Sequence, residues 1–349
     1  MKVGIVGFPG AGKTTVFNAL TGLHATVGAY QEAGKVNLGT IKVPDARIDR
    51  LSEIFRPRKT TYAETVFVDL PGSADASASA LDRGTLVQMR DADALVQVIR
   101  GFPHPFAGSP AEPLRDYENF KSELILADLA VVEKRLERVR KEQGKGQEVD
   151  VLERCKAVLD AATPLRKTAL SAADERVLAG FGLLSSVPLL VVLNVEESQA
   201  GAPTPASVAA HFAHDGVEAV SFCAQIEMEL TALEPLEQAA FLAELGVTES
   251  ARARFIQAAY ALLDLISFLT TGEDEVRAWP IRRGTTALKA AGKVHSDIER
   301  GFIRAEVVPY TEFMRFGSEA KCREAGKLRL EGKDYVVQDG DMIHFRFNV

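Results

Sequence analysis

Hydrophobic positions in the first third of the chain fall in short, β-branched runs separated by helical patterns. KVGIVG (2–7), ETVFVDL (64–70) and ALVQVIRG (94–101) are mostly apolar, as expected of strands buried on both faces of a parallel sheet. The signal returns at VPLLVVLN (187–194) and GVEAVSFC (216–223). Residues 116–180 carry no such runs. There Phe120, Leu124, Leu126, Leu129, Val132 and Leu136 recur mostly at three- and four-residue spacing, which predicts a helix. A second helical stretch follows the Gly144-Lys145-Gly146 turn, so an antiparallel helical hairpin is expected, inserted into an α/β domain. From about residue 266, short apolar runs alternate with Gly and Asp turns, the pattern of a small β-rich domain.

Composition narrows the class. The 349 residues are 46% hydrophobic and 26% charged, with a net charge of −7, which argues against a protein that grips nucleic acid with its whole surface. No DNA partner is expected. Cys155, Cys223 and Cys322 are scattered and odd in number, so they read as reduced thiols rather than a disulfide or zinc framework. The first strand begins almost at once, leaving no room for a signal peptide, and no apolar run approaches the roughly 18–20 residues that span a bilayer. A soluble, cytoplasmic protein without membrane contact is the expectation.

The candidate chemistry begins at Gly7. GFPGAGKT, Gly7 to Thr14, matches the phosphate-loop pattern between an expected strand and the helical TTVFNALTGL. Glycines there let backbone N–H groups turn inward around a polyphosphate, and the helix N-terminus adds its positive end. Pro9, Gly10, Ala11, Gly12, Lys13, Thr14 and Thr15 are therefore candidate nucleotide contacts. Lys13 suits the β and γ phosphates, and the Thr14 hydroxyl suits Mg²⁺. FVDLPG then ends a strand in Asp69-x-x-Gly72, where Asp69 can hold the water shell of Mg²⁺ and the Gly72 N–H can meet the γ-phosphate.

The base-reading loop is expected at Asn194-Val195-Glu196-Glu197. A guanine pocket normally reads Asn-Lys-x-Asp, its carboxylate accepting from the ring N–H and exocyclic amine of guanine. Charge-assisted bonds of this kind contribute roughly 1.5–3 kcal/mol each, so removing both erases most guanine preference. Glu197 is one methylene longer and is expected to swing aside, while Asn194 can brace the loop or meet the purine. Ala224 and Gln225, after the next strand, occupy the place of the second base-binding loop. The reading is a retuned purine pocket.

Together these residues resemble the YchF subfamily of Obg-like ATPases, P-loop NTPases related to translation factors. The resemblance covers nearly the whole chain, with NVEE, SELILADLAVVEKRLERV and the C-terminal AWPIRRGTTALKAAGKVHSDIERGFIRAEVV as its most specific parts. It implies an α/β P-loop sheet in a nucleotide-binding domain (1–115 and 181–265), an inserted helical hairpin (116–180) and a C-terminal β-grasp, TGS-like domain (266–349). It also implies a preference for ATP or relaxed choice between ATP and GTP, Mg²⁺, hydrolysis without the usual catalytic glutamine, and association with ribosomes. His104 lies near a histidine that the family places as a catalytic helper.

Departures from the family fall on the switches. Ala33 stands where a Mg²⁺-closing Thr belongs, with Thr40 the nearest hydroxyl, and Ser73 replaces an apolar residue. Three functions therefore stay open: a slow ATPase acting with the ribosome, a nucleotide sensor with little hydrolysis, and a true GTPase. For ribosomal RNA, the basic tip (Lys134, Arg135, Arg138, Arg140, Lys141, Lys145) is one candidate surface, with a solvated helix face as the equal alternative. Arg282-Arg283 and Lys289/Lys293 are a weaker version of the same case.

Overall fold

The computed structural model describes residues 1–23, 25, 36–70, 81, 83–103, 110–142, 146–247 and 250–348. Twelve strands are defined among them: β1 (Lys2–Val6), β2 (Asn37–Lys42), β3 (Lys59–Thr61), β4 (Glu64–Asp69), β5 (Ala94–Gly101), β6 (Leu189–Val195), β7 (Glu218–Phe222), β8 (Leu265–Thr270), β9 (Glu275–Arg282), β10 (Phe302–Pro309), β11 (Arg329–Glu331) and β12 (Asp341–Phe347). They form two six-stranded sheets. The chain divides into two compact units, Met1–Ile41 with Val66–Ala259, and Lys42–Thr65 with Tyr260–Val349.

The first sheet has the order β2-β4-β1-β5-β6-β7, and its five strands from β4 to β7 pair in parallel. The apolar runs explain this placement. β5 and β6 are buried along their length except at Gly101, as central parallel strands covered on both faces must be. All five runs read from sequence as strands are strands here.

The insertion leaves the sheet after β5 as a helix of 29 residues, Pro113–Lys141, about 43 Å long. Its apolar stripe serves two cores. Tyr117, Phe120 and Leu124 pack into the core of the sheet. Further along, Val132 and Leu136 pack on Val151, Leu152, Cys155 and Leu159 of the return helix Gln147–Asp160. Two buried carboxylates fasten the base of this hairpin. Asp128 accepts from the Leu184 and Ser185 amides at 2.7 Å each, capping the turn that leads into β6. Asp215 accepts from the Tyr117 hydroxyl at 2.9 Å and from Lys121 Nζ at 3.0 Å, with Lys167 Nζ at 3.5 Å.

The second sheet has the order β11-β10-β12-β8-β9-β3. A β8–β9 hairpin, a parallel β8–β12 pair and an antiparallel β10–β12 pair make it a β-grasp arrangement. Ala287, Ala290 and Ala291 of the crossing helix Ala287–Val294 are small enough to sit close on Ile266, Phe268 and Ile281. β3 joins as an edge strand parallel to β9. Residues 42–65, placed with the nucleotide-binding domain by the sequence reading, thus group with the C-terminal unit. Side chains account for this. The helix Ala46–Phe55 buries Ile48 and Leu51, Phe55 stacks on Phe313 at 5.6 Å, and Arg47 reaches Asp339 at 2.8 Å. The pattern of strand runs could not reveal which sheet a three-residue edge strand would join. The hairpin groups with the first unit instead of standing apart.

Asp215 links this architecture to pH. Burial pushes its carboxyl up, but the bonds from Lys121 and Tyr117 outweigh burial and hold the pKa down at about 2. An unfolded Asp titrates near about 3.9, so the contribution is complete above about pH 4 and is lost as pH falls from there towards 2. Two pKa units correspond to roughly 2–3 kcal/mol. Denaturant unfolding measured between pH 5 and 2 is expected to show this loss, and the Asp215→Asn variant to start less stable at pH 7 with a flatter acid slope.

Candidate nucleotide site

The phosphate loop joins β1 to the helix Lys13–Thr21. Gly10 and Gly12 take positive φ (76° and 88°), which L side chains rarely adopt. Gly12 is the residue before the helix, no side chain caps it, and the first turn holds no acidic residue. The first amides therefore face outward with the positive end of the helix, an arrangement suited to anions. Lys13 Nζ donates to the Phe8 carbonyl at 3.3 Å. Burial lowers its pKa, with Asp69 acting in the opposite direction. Pro9 and Thr15 flank the cradle, both half-buried.

Asp69 ends β4, almost wholly buried and level with Ile5 of β1. The Thr14 hydroxyl donates to its Oδ2 at 3.0 Å. A hydroxyl and a carboxylate so placed are hard oxygen donors of the kind Mg²⁺ accepts, beside the lysine that would face the phosphates. Asn37 also donates to Asp69 Oδ2, at 3.3 Å. Asn37 belongs to no local motif, and it reaches Asp69 only because β2 lies beside β4 in the sheet. Thr40, the nearest hydroxyl then considered, is exposed on β2.

Asn194 is buried at the end of β6 and does not sit free for a base. Its Nδ2 donates to the Ala11 carbonyl at 3.1 Å, and its Oδ1 accepts from the Ala224 amide at 3.1 Å. One carboxamide thus bolts the phosphate loop to the loop after β7. A Cβ on Gly12 would collide with this amide, whereas one on Gly10 would meet nothing within 4 Å. Val195 is buried beside it, while Glu197 opens the short turn Glu197–Gln199 with its side chain exposed. Gln225 is exposed in the first turn of the helix Ala224–Thr231, leaving Ala224 as the buried contact. Burial pushes the Cys223 thiol up, against the amides of Ile226 and Gln225, as suits a packed residue between the base loops.

Gly72, Ser73, His104, Ala33 and Lys145 lie outside the described residues. A further residue missed from sequence is Asn18, whose amide clasps both backbone groups of Ala25 at 2.8 and 2.9 Å. A polar residue inside the buried face of the phosphate-loop helix was the available signal.

With this geometry in place, the relatives are informative. The chain is 39% identical to "Ribosome-binding ATPase YchF" of Bacillus subtilis (strain 168) over the full length of both. This protein belongs to the YchF family. It is 37% identical to the protein of the same name in Escherichia coli O157:H7, over 100% of this chain and 99% of that one. The YchF GTPase of Schizosaccharomyces pombe shares the fold with a TM-score of 0.87 at 29% identity, covering 99% of this chain and 97% of that one. Residues 2–128 match the family described as "50S ribosome-binding GTPase". Residues 265–348 match the one described as "Protein of unknown function (DUF933)", the C-terminal YchF-type domain. The nucleotide site therefore sits in a P-loop domain of a nucleotide-hydrolase family.

Several residues of the basic clusters pair with carboxylates within their own folds. Arg135 pairs with Glu148 at 2.7 Å, Arg138 with Glu142 at 3.0 Å and Arg140 with Glu153 at 3.1 Å. In the C-terminal unit Arg283 pairs with Asp264 at 3.2 Å and Lys289 with Glu299 at 2.8 Å. The solvated-face reading of the tip is the better supported one.

The two loop glycines give a direct test of the Asn194 bolt. Both positions strain an Ala through φ, but only Gly12→Ala also drives a methyl into Asn194. Thermal melts and titration with a fluorescent ATP analogue are expected to show Gly12→Ala losing more stability than Gly10→Ala, by about 1–3 kcal/mol, and losing nucleotide affinity with it.

Proposed function

We propose that this YchF-family protein binds and slowly hydrolyses ATP at Gly7–Thr14, and that nucleotide occupancy controls its association with the ribosome. The observation that carries this reading is the uncapped cradle of amides ahead of Lys13, with Thr14 and Asp69 brought to 3.0 Å beside it. Thr14 and Asp69 would hold Mg²⁺, which neutralises phosphate charge during phosphoryl transfer. Lys13 binds the β and γ phosphates, and the amides orient them. Positioning and electrostatics supply most of the catalysis of phosphoryl transfer, so slow turnover needs no dedicated base. The contributions of Gly72 and His104 belong to this reading as N–H donor and catalytic helper.

One feature supports ATP over GTP. Glu197 replaces the guanine-reading Asp and is exposed on its turn. Asn194 braces the loop through Ala11 and Ala224, and the side chains of Val195, Glu197 and Gln225 lie on the same two loops as further candidates for contact with the purine. The names of the bacterial relatives agree, whereas the fission-yeast protein is titled a GTPase. For the ribosome, the support is those same names and the family matched over residues 2–128. Contact with ribosomal RNA through the basic tip has less support, because Arg135, Arg138 and Arg140 already have carboxylate partners. A cytoplasmic location fits such a partner, and among the described residues no helix is long and apolar enough to cross a membrane.

Single-turnover reactions with labelled ATP and Mg²⁺ test the enzyme. Product is expected from the wild type and not from Lys13→Ala; tight binding without product would favour a nucleotide sensor. Competition between ATP and GTP analogues tests the pocket. Glu197→Asp is expected to raise GTP affinity relative to ATP by about tenfold, one charge-assisted bond restored, and equal or better binding of GTP by the wild type would identify a GTPase.

A further inference from the structure

The ten residues 26–35 lie between two described anchor points, and each anchor is an asparagine. On the near side Asn18, in the phosphate-loop helix, holds both backbone groups of Ala25. On the far side Asn37, the first residue of β2 and half-buried, donates its side-chain amide to Asp69 Oδ2. The same oxygen accepts from Thr14 Oγ1, so two elements converge on one carboxylate. β2 is also held sideways: Gly39 approaches Thr21 and Phe17 so closely that a Cβ would not fit. Asn37 is thereby kept against Asp69 by packing on the phosphate-loop helix itself.

The chemistry of the contact is specific. A carboxylate that serves a metal's water shell must keep its charge and one orientation. A lysine in place of Asn37 would compete with the cation, and a hydroxyl would offer itself as another ligand. A neutral amide adds no charge, and with its N–H turned to Asp69 it orients the anion. We propose that Asn37 is a positioning residue of this site, orienting the Asp69 carboxylate for Mg²⁺–nucleotide binding and tying the start of β2 to that carboxylate. This rests on the reading of Gly7–Thr14 as a nucleotide site.

Binding, not turnover, tests it. Full-length protein is titrated with fluorescent ATP and ADP analogues over a range of Mg²⁺ concentrations and again in EDTA. Asn37→Ala is expected to raise the Mg²⁺ needed for half-maximal binding about tenfold while leaving affinity in EDTA unchanged. In an Asp69→Asn background, adding Asn37→Ala is expected to produce no further rise, because the two act through one contact. Losses that are equal with and without Mg²⁺ would show a merely structural role and overturn the proposal. So would additive losses in the double variant, or no change in Asn37→Ala. A wild type that binds neither analogue overturns the nucleotide-site reading as well; a wild type that binds while Asn37→Ala keeps its Mg²⁺ dependence overturns this proposal alone.

Discussion

One buried carboxamide keeps the site in shape. Asn194 spans from the Ala11 carbonyl to the Ala224 amide, so the phosphate loop, β6 and the helix after β7 meet at a single side chain. The loop needs such a brace. Glycines at positive φ give its amides the direction a polyphosphate requires, but glycine loses more chain entropy on ordering than other residues. A short, doubly bonded side chain in a dry setting supplies the missing rigidity, and it does so without charge.

Buried polar groups do comparable work elsewhere in the first unit. Asp128 and Asp215 are both inside, and each satisfies several donors where the insertion meets the sheet. Tyr117, Phe120 and Leu124 bury the near end of the long helix, and among them the Tyr117 hydroxyl makes a directional bond to Asp215. The carboxylates give it one register. Beyond this base the hairpin depends on Val132, Leu136 and their partners, and its charged faces pair with each other across the two helices.

On its way to Asp69 the chain visits both units. After β2 the polypeptide leaves the first unit, contributes a helix and β3 to the C-terminal unit, and returns as β4 with Asp69 at its end. The two ends of this excursion meet again, Asn37 donating to Asp69. The excursion is held by its own contacts, among them Arg47 with Asp45 and Asp339, and the pairing of β3 with β9.

By itself the sequence determined the strands of the parallel sheet, the hairpin, the phosphate loop and the identity of Lys13, Thr14 and Asp69 as a set. These follow from local physics: runs of β-branched residues, helical spacing, and glycines that only a turned backbone uses. The role of Asn194 was half legible, as a brace, but its two partners lie 183 and 30 residues away and came from packing. Tertiary structure alone decided that residues 42–65 join the second sheet, that the tip's arginines are already paired, and that Asn37 meets Asp69. Each of these depends on which surfaces touch across long loops. A pattern along the chain carries no record of such contacts, because an edge strand, a surface arginine and a half-buried asparagine look alike until their neighbours are in place.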